Sequence, residues 1–181
     1  RVFPLWCVSY DIERDAYVCT CRAGARCDHK GKHPAVKDGV DAATTDEAQI
    51  KKWFARGDKN IGLALGRTAK GAGLWVLDVD GEQGEAALRP VRHLLPLTYE
   101  VKTGRGRHLY YHGASDCRPV AHKLDVRGEG GYVVAPPSLH ELGTVYATLE
   151  ARDVEVLDRS SLPYMSEEKE GRGVQDLAPK A

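Results

Sequence analysis

The chain has 181 residues with 26 basic and 26 acidic side chains, and 42% of it is apolar. That length suits one domain, or a domain plus a tail, with chain enough to bury a core. Mean hydropathy is −0.43 and no apolar run approaches about 18 residues, so the sequence offers no membrane-spanning helix. The 19 Gly and 9 Pro follow no period, which excludes a collagenous chain and argues against a wholly disordered one. The first residue is Arg1, as in a fragment or a processed chain.

Val2-Phe-Pro-Leu-Trp-Cys-Val8 reads as a first strand with Pro4 at an edge or a bulge. Residues 11–43 lack strong periodicity and hold a cluster of soft ligands: Cys19, Cys21 and Cys27, then His29 and His33. Cys19 and Cys21 are too close to pair comfortably, and any disulfide among the three leaves an odd thiol. Thiolates and imidazoles in a Gly- and Lys-rich segment suit a structural zinc, which would supply the order that apolar side chains do not. The fourth ligand is either His33 or His29. Cys7 and Cys117 read as packing residues. Thr44-Thr-Asp-Glu47 matches a capping box, and Ile50, Trp53 and Phe54 follow at helical spacing, so a helix is expected over 45–56.

Ile61–Leu65 is a predicted strand, and 66–73 a loop. Leu74-Trp-Val-Leu-Asp-Val-Asp80 is the strongest strand signal, apolar enough to be buried on both faces. A helix over 82–95 must kink or restart at Pro90. Thr98–Lys102 and His108–His112 flank the turn Thr103-Gly-Arg-Gly-Arg107, and Leu124–Val126 and Tyr132–Ala135 flank Gly128-Glu-Gly-Gly131. Val145–Leu149 is a late strand. Beyond Asp158 the chain turns polar and reads as a linker or a frayed helix. Short Gly turns between strands favour an α+β fold on a mainly antiparallel sheet.

Asp78 and Asp80 lie two apart on the strongest strand, so both carboxylates face one side about 7 Å apart. Such a pair needs a cation between its members, and Mg²⁺ or Mn²⁺ suits hard oxygens. A third acid, Asp125, between Leu124 and Val126, would complete a two-metal arrangement for phosphoryl transfer if it converged with them. His108 follows a turn that carries Lys102, Arg105 and Arg107, a set able to hold a triphosphate opposite the metals. The chain has no nucleophile elbow and no zinc-protease helix motif. Basic residues gather in 22–37 and 102–127, while 150–181 holds eight acids against five bases, so an anionic partner would meet a local site and not a cationic coat. With 13 aromatic residues, base-stacking platforms are few.

In this order, Gly31-Lys-His-Pro34, Asn60-Ile-Gly-Leu-Ala-Leu-Gly66, Val76-Leu-Asp-Val-Asp80, Thr103-Gly-Arg-Gly-Arg-His108 and Asp125-Val-Arg-Gly-Glu-Gly-Gly-Tyr-Val-Val-Ala-Pro-Pro-Ser138 resemble the bifunctional DNA primase/polymerase family of the archaeo-eukaryotic primase superfamily. The resemblance runs from Val2 to about Leu149. It implies an α+β fold: an RRM-like palm with a mainly antiparallel sheet, plus a smaller N-terminal α/β subdomain carrying the zinc loop at about 19–33. The domain would span 1–158, with 159–181 as tail or linker. Asp78, Asp80 and Asp125 would hold Mg²⁺ or Mn²⁺. His108 would contact the incoming nucleotide with Lys102, Arg105, Arg107 and Arg127, and His33 would join Cys19, Cys21 and Cys27 on zinc. The implied partners are single-stranded DNA template, nucleoside triphosphates and a helicase further along the full-length chain, in the cytoplasm, for replication of a plasmid, phage or integrated element. A non-catalytic zinc-containing DNA-binding module and a metal-dependent nuclease are the competing readings.

Overall fold

A computed structural model describes residues 1–67 and 73–157. The tail expected over 159–181, and most of the loop expected after Gly66, lie outside the described residues. Thirteen strands are described: β1 (Val2–Trp6), β2 (Val8–Asp11), β3 (Ala16–Cys19), β4 (Lys59–Ala64), β5 (Gly66–Arg67), β6 (Gly73–Val79), β7 (Glu100–Lys102), β8 (Arg107–His112), β9 (Arg118–Ala121), β10 (Leu124–Arg127), β11 (Tyr132–Ala135), β12 (Ala147–Glu150) and β13 (Glu155–Val156). The two α-helices are α1 (Glu47–Phe54) and α2 (Gly81–Leu88).

The largest sheet runs β12-β7-β8-β6-β10-β9, with β5 beside the start of β6 and β13 beside the end of β8. All its pairings are antiparallel except that of β13 with β8. A three-stranded antiparallel sheet, β1-β4-β11, packs on one face. The chain is thus mostly antiparallel β with two helices, as the Gly-turn pattern predicts.

Strand β6 belongs to two cores because alternate residues of a strand face opposite sides. Trp75, Leu77 and Val79 meet Leu88 of α2, Val91, Leu95, Leu109 and Tyr111 on one face. Val76 meets Phe3, Leu5, Val101, Tyr110 and Val133 on the other. Trp75 and Tyr111 are fully buried, and burial of side chains of this size contributes roughly 2–3 kcal/mol each.

Several boundaries differ from the sequence expectation for local reasons. Helix α1 is capped by Asp46, whose Oδ1 accepts the Ala48 and Gln49 amides, while Thr44 Oγ1 accepts the Asp46 amide. Thr44 is therefore two residues too early to be the cap. α2 ends at Leu88, before Pro90, and a 3-10 turn follows at Arg92–Leu94. Pro4 lies on β1, an edge strand of its sheet, as a residue without an N–H requires. β10 and β11 do not pair with each other: they belong to different sheets, and the glycines between them carry the chain across. The β2–β3 hairpin was not expected, and it delivers Cys19 at its end.

Candidate functional site

One row of side chains crosses the large sheet. Asp125 on β10 is the register partner of Asp78 on β6, and Asp78 is the partner of His108 on β8. Their neighbours Leu124, Val126, Leu77, Val79 and Leu109 all face the α2 core. Alternation therefore turns the two carboxylates and the imidazole to the opposite face. His108 Nε2 lies 3.5 Å from Asp78 Oδ1, and Arg127 reaches Asp78 Oδ2 at 3.5 Å and Asp125 Oδ2 at 2.9 Å. Burial opposes the charge on Asp78, but His108 and Arg127 outweigh it and hold the carboxyl below its usual range. The His108 ring is buried, and its Nδ1 has no partner.

Asp80 follows the end of β6 as the residue before α2, where Lys123 Nζ stands 3.4 Å away. Tyr146, buried against His108 and His140, feels both Asp78 and Asp80, and its hydroxyl titrates well above the ordinary range, through burial first and these carboxylates after it. Asp80 is set apart from the Asp78–Asp125 pair: it lies beyond the end of β6 and does not line the cavity over Asp78.

A cavity of about 530 Å³ opens over this row, lined by Asp78, His108, Arg127 and Tyr132 together with His29 and Lys32 from the Cys/His loop. Cys117, expected to pack, is an exposed residue that also lines it. The cationic residues divide between two faces. Arg127 reaches the cavity. Lys102 and Arg107 line a second, open cavity of about 760 Å³ beside α2, where Arg107 is tied to Glu85 and Glu100 at 2.7 and 2.8 Å. Burial would lower the Arg107 pKa, but these two carboxylates raise it. Arg105 pairs with Glu141 at 3.3 Å. His108 and Arg107 are adjacent on one strand and so cannot face the same way, a consequence of period two that was readable in the sequence.

The four soft ligands converge. The donor atoms of Cys19, Cys21, Cys27 and His33 all lie within 4.8 Å of one another, with Cys19 Sγ 3.4 Å from His33 Nε2. Among the described residues no other group of three or more metal-capable side chains converges this tightly. His29 is outside the group and faces the cavity. Burial, with the neighbouring thiols adding to it, raises Cys27 to about 11, and burial lowers His33. Three thiols and a neutral imidazole at this spacing are the donor set of a structural zinc. Backbone bonds seat the loop: Trp6 donates to the His33 carbonyl at 3.0 Å, and the Cys7 and Thr20 backbones are joined in both directions through the Thr20 hydroxyl and amide.

The family model for the bifunctional DNA primase/polymerase N-terminal domain matches residues 1–163. The chain belongs to the bifunctional DNA primase/polymerase family. No curated protein matches it. Membership in the primase/polymerase family implies nucleotidyltransferase activity with DNA and nucleotides as substrates, divalent metals as cofactors and a role in DNA replication. No helix among the described residues is long and apolar enough to cross a membrane.

Sequence reasoning passed over His140, which this primase/polymerase domain buries beside the site. Its Nδ1 accepts the Leu142 amide at 3.1 Å, and its ring packs so closely on Gly104 that a Cβ there would overlap it. The sequence signal was Gly104 in the turn before His108, whose room for close approach is taken by this ring. Burial, then Lys32, lowers the His140 pKa to about 4 against an ordinary 6.5. The unfolded chain then binds the extra proton first. Stability should be unaffected above pH 6.5, fall as pH drops below it, and level off below pH 4, with a total loss of about 3 kcal/mol from this group. Urea unfolding across that range should show a flatter profile for His140→Gln, which keeps an acceptor for Leu142.

Proposed function

We propose that the face carrying His108, Asp78 and Asp125 is the catalytic centre of a template-directed DNA primase/polymerase. The observation that carries this reading is the register of the three residues across adjacent strands, two of which, Asp78 and His108, line one cavity. The strand order β7-β8-β6-β10, with α2 after β6, supports an RRM-like palm. The three-stranded sheet with α1 and the Cys/His loop would be the smaller N-terminal subdomain. The whole would span 1–158.

Asp78, Asp80 and Asp125 would hold Mg²⁺ or Mn²⁺. The donors fit: Arg127 already bridges Asp78 and Asp125 as a cation would, and it is 42% exposed and opens on the cavity, so it can yield. Asp80 is 44% exposed and is held by the similarly exposed Lys123 at 3.4 Å, a surface pair that a metal can displace. When bound, the metals favour the deprotonated 3′-hydroxyl and offset charge on the α-phosphate. His108 presents its unpartnered nitrogen to a phosphate oxygen, and Asp78 fixes the ring by its contact with Nε2. Arg127, released from the aspartates, is left as a cation for the triphosphate. The hydroxyl attacks the α-phosphate in line, the P–O bond to the β-phosphate breaks, and pyrophosphate leaves. Cys19, Cys21, Cys27 and His33 would hold zinc for structure. Single-stranded DNA would be the template and nucleoside triphosphates the substrates, with a helicase later in the full-length chain. The context would be a plasmid, phage or integrated element, in the cytoplasm.

The test is incubation of the protein with Mn²⁺ or Mg²⁺, labelled nucleotides and single-stranded DNA, with and without a primer. Extended or newly primed strands are expected, with pyrophosphate released in step. Shortened DNA would instead mark a nuclease, and a shifted band without chemistry a DNA-binding module.

A further inference from the structure

Lys32 stands between two of the four clustered donors, Cys27 and His33, and lines the cavity over Asp78 and His108. Its ammonium is 3.9 Å from Glu141 Oε1, and the Arg105 guanidinium is 3.3 Å from the same oxygen. Two cations from separate loops thus share one carboxylate, Lys32 from the cavity over Asp78 and Arg105 from the second cavity.

The backbone that presents Lys32 is held firmly. Its carbonyl accepts the Tyr132 hydroxyl at 2.9 Å. Gly31, with φ of +71°, lies against Val8 and Asn60 in a backbone conformation that other residues rarely adopt. Asn60 is 1% exposed, and its amide donates to the Gly31 and Leu139 carbonyls, both at 2.8 Å. The base of residue 32 is fixed while its charged end remains partly exposed, the arrangement of a side chain placed to meet a ligand. The ligand chemistry follows from the surroundings. Lys32 and Arg127 border the cavity, and His108, whose buried Nδ1 has no partner, lines it with them. A polyphosphate matches several cations better than the single carboxylate of Glu141 does.

We propose that Lys32 is a nucleotide-binding residue, whose ammonium leaves Glu141 for the polyphosphate of the incoming nucleoside triphosphate, with Glu141 holding Lys32 until then. This rests on the reading of the cavity as the nucleotide site. The segment between the zinc ligands is then part of the substrate pocket as well as a structural element.

Lys32→Gln removes the charge and keeps the length. We expect its Kd for a non-hydrolysable deoxynucleoside triphosphate, and its KM in primer extension, to rise about tenfold with kcat within about twofold. Zinc content by elemental analysis should match wild type, and Lys32→Arg should recover most of the affinity. A Lys32→Gln protein with unchanged Kd and KM would overturn the proposal. So would loss of zinc together with affinity, or a Lys32→Arg protein as weak as Lys32→Gln. A wild-type protein that incorporates no nucleotide would instead overturn the underlying reading, so the two failures are distinct.

Discussion

Replacing Asp78 and Asp80 together by Asn should slow nucleotide incorporation at least about a thousandfold, a loss of about 4 kcal/mol of transition-state stabilisation. Both carboxylates would be acting on charge that develops only as the phosphorus is attacked, so kcat should fall far more than nucleotide affinity. The fold should survive. Asn keeps the shape of Asp, Arg127 retains Asp125 at 2.9 Å, and both substituted side chains lie outside the two apolar cores. Primer extension gives the rate, and thermal unfolding should show a midpoint within a few degrees of wild type. A double variant that still polymerises at near wild-type rate would remove these acids from the mechanism.

The second large effect is expected at the Cys/His cluster. The purified protein should carry one zinc per chain, and Cys27→Ser should lose it. The 3-10 turn between Cys21 and Cys27 buries no side chain, so little besides the metal orders that stretch. Structural zinc sites contribute of the order of 10 kcal/mol to isolated fingers. Even a third of that would lower the midpoint by roughly 10 °C in a domain of this size. Elemental analysis and thermal unfolding with and without a chelator would measure both quantities. Nucleotide affinity should fall with the zinc, because His29 and Lys32 lie between two of its ligands and line the cavity.

The central strand, and the place of Asp78 on it, were legible in the sequence because they follow from periodicity. Seven residues with apolar content on both faces make a strand covered on both sides, and an Asp within such a strand has a reason to be there. Asp125 interrupts an apolar run in the same manner and His108 opens one, and the sheet places both beside Asp78. The basic residues were harder to place because charge composition was read without the alternation that divides His108 from Arg107. The β2–β3 hairpin escaped notice because its outward residues Ser9 and Tyr10 are exposed, leaving no apolar stripe. Lys32, Glu141 and His140 were beyond sequence reasoning for another reason. They meet only through tertiary contacts, and Asn60, a single buried amide, ties the two loops that bring them together.

Because β6 contributes Trp75, Leu77 and Val79 to one core and Val76 to the other, neither half of the molecule has a complete interior of its own. Loss of that strand would strip apolar contacts from both layers at once, so the layers must melt in one cooperative step rather than in sequence. Asp78, the proposed metal ligand, then sits on the element whose local opening costs the most, and the paired strands β8 and β10 hold His108 and Asp125 in register with it.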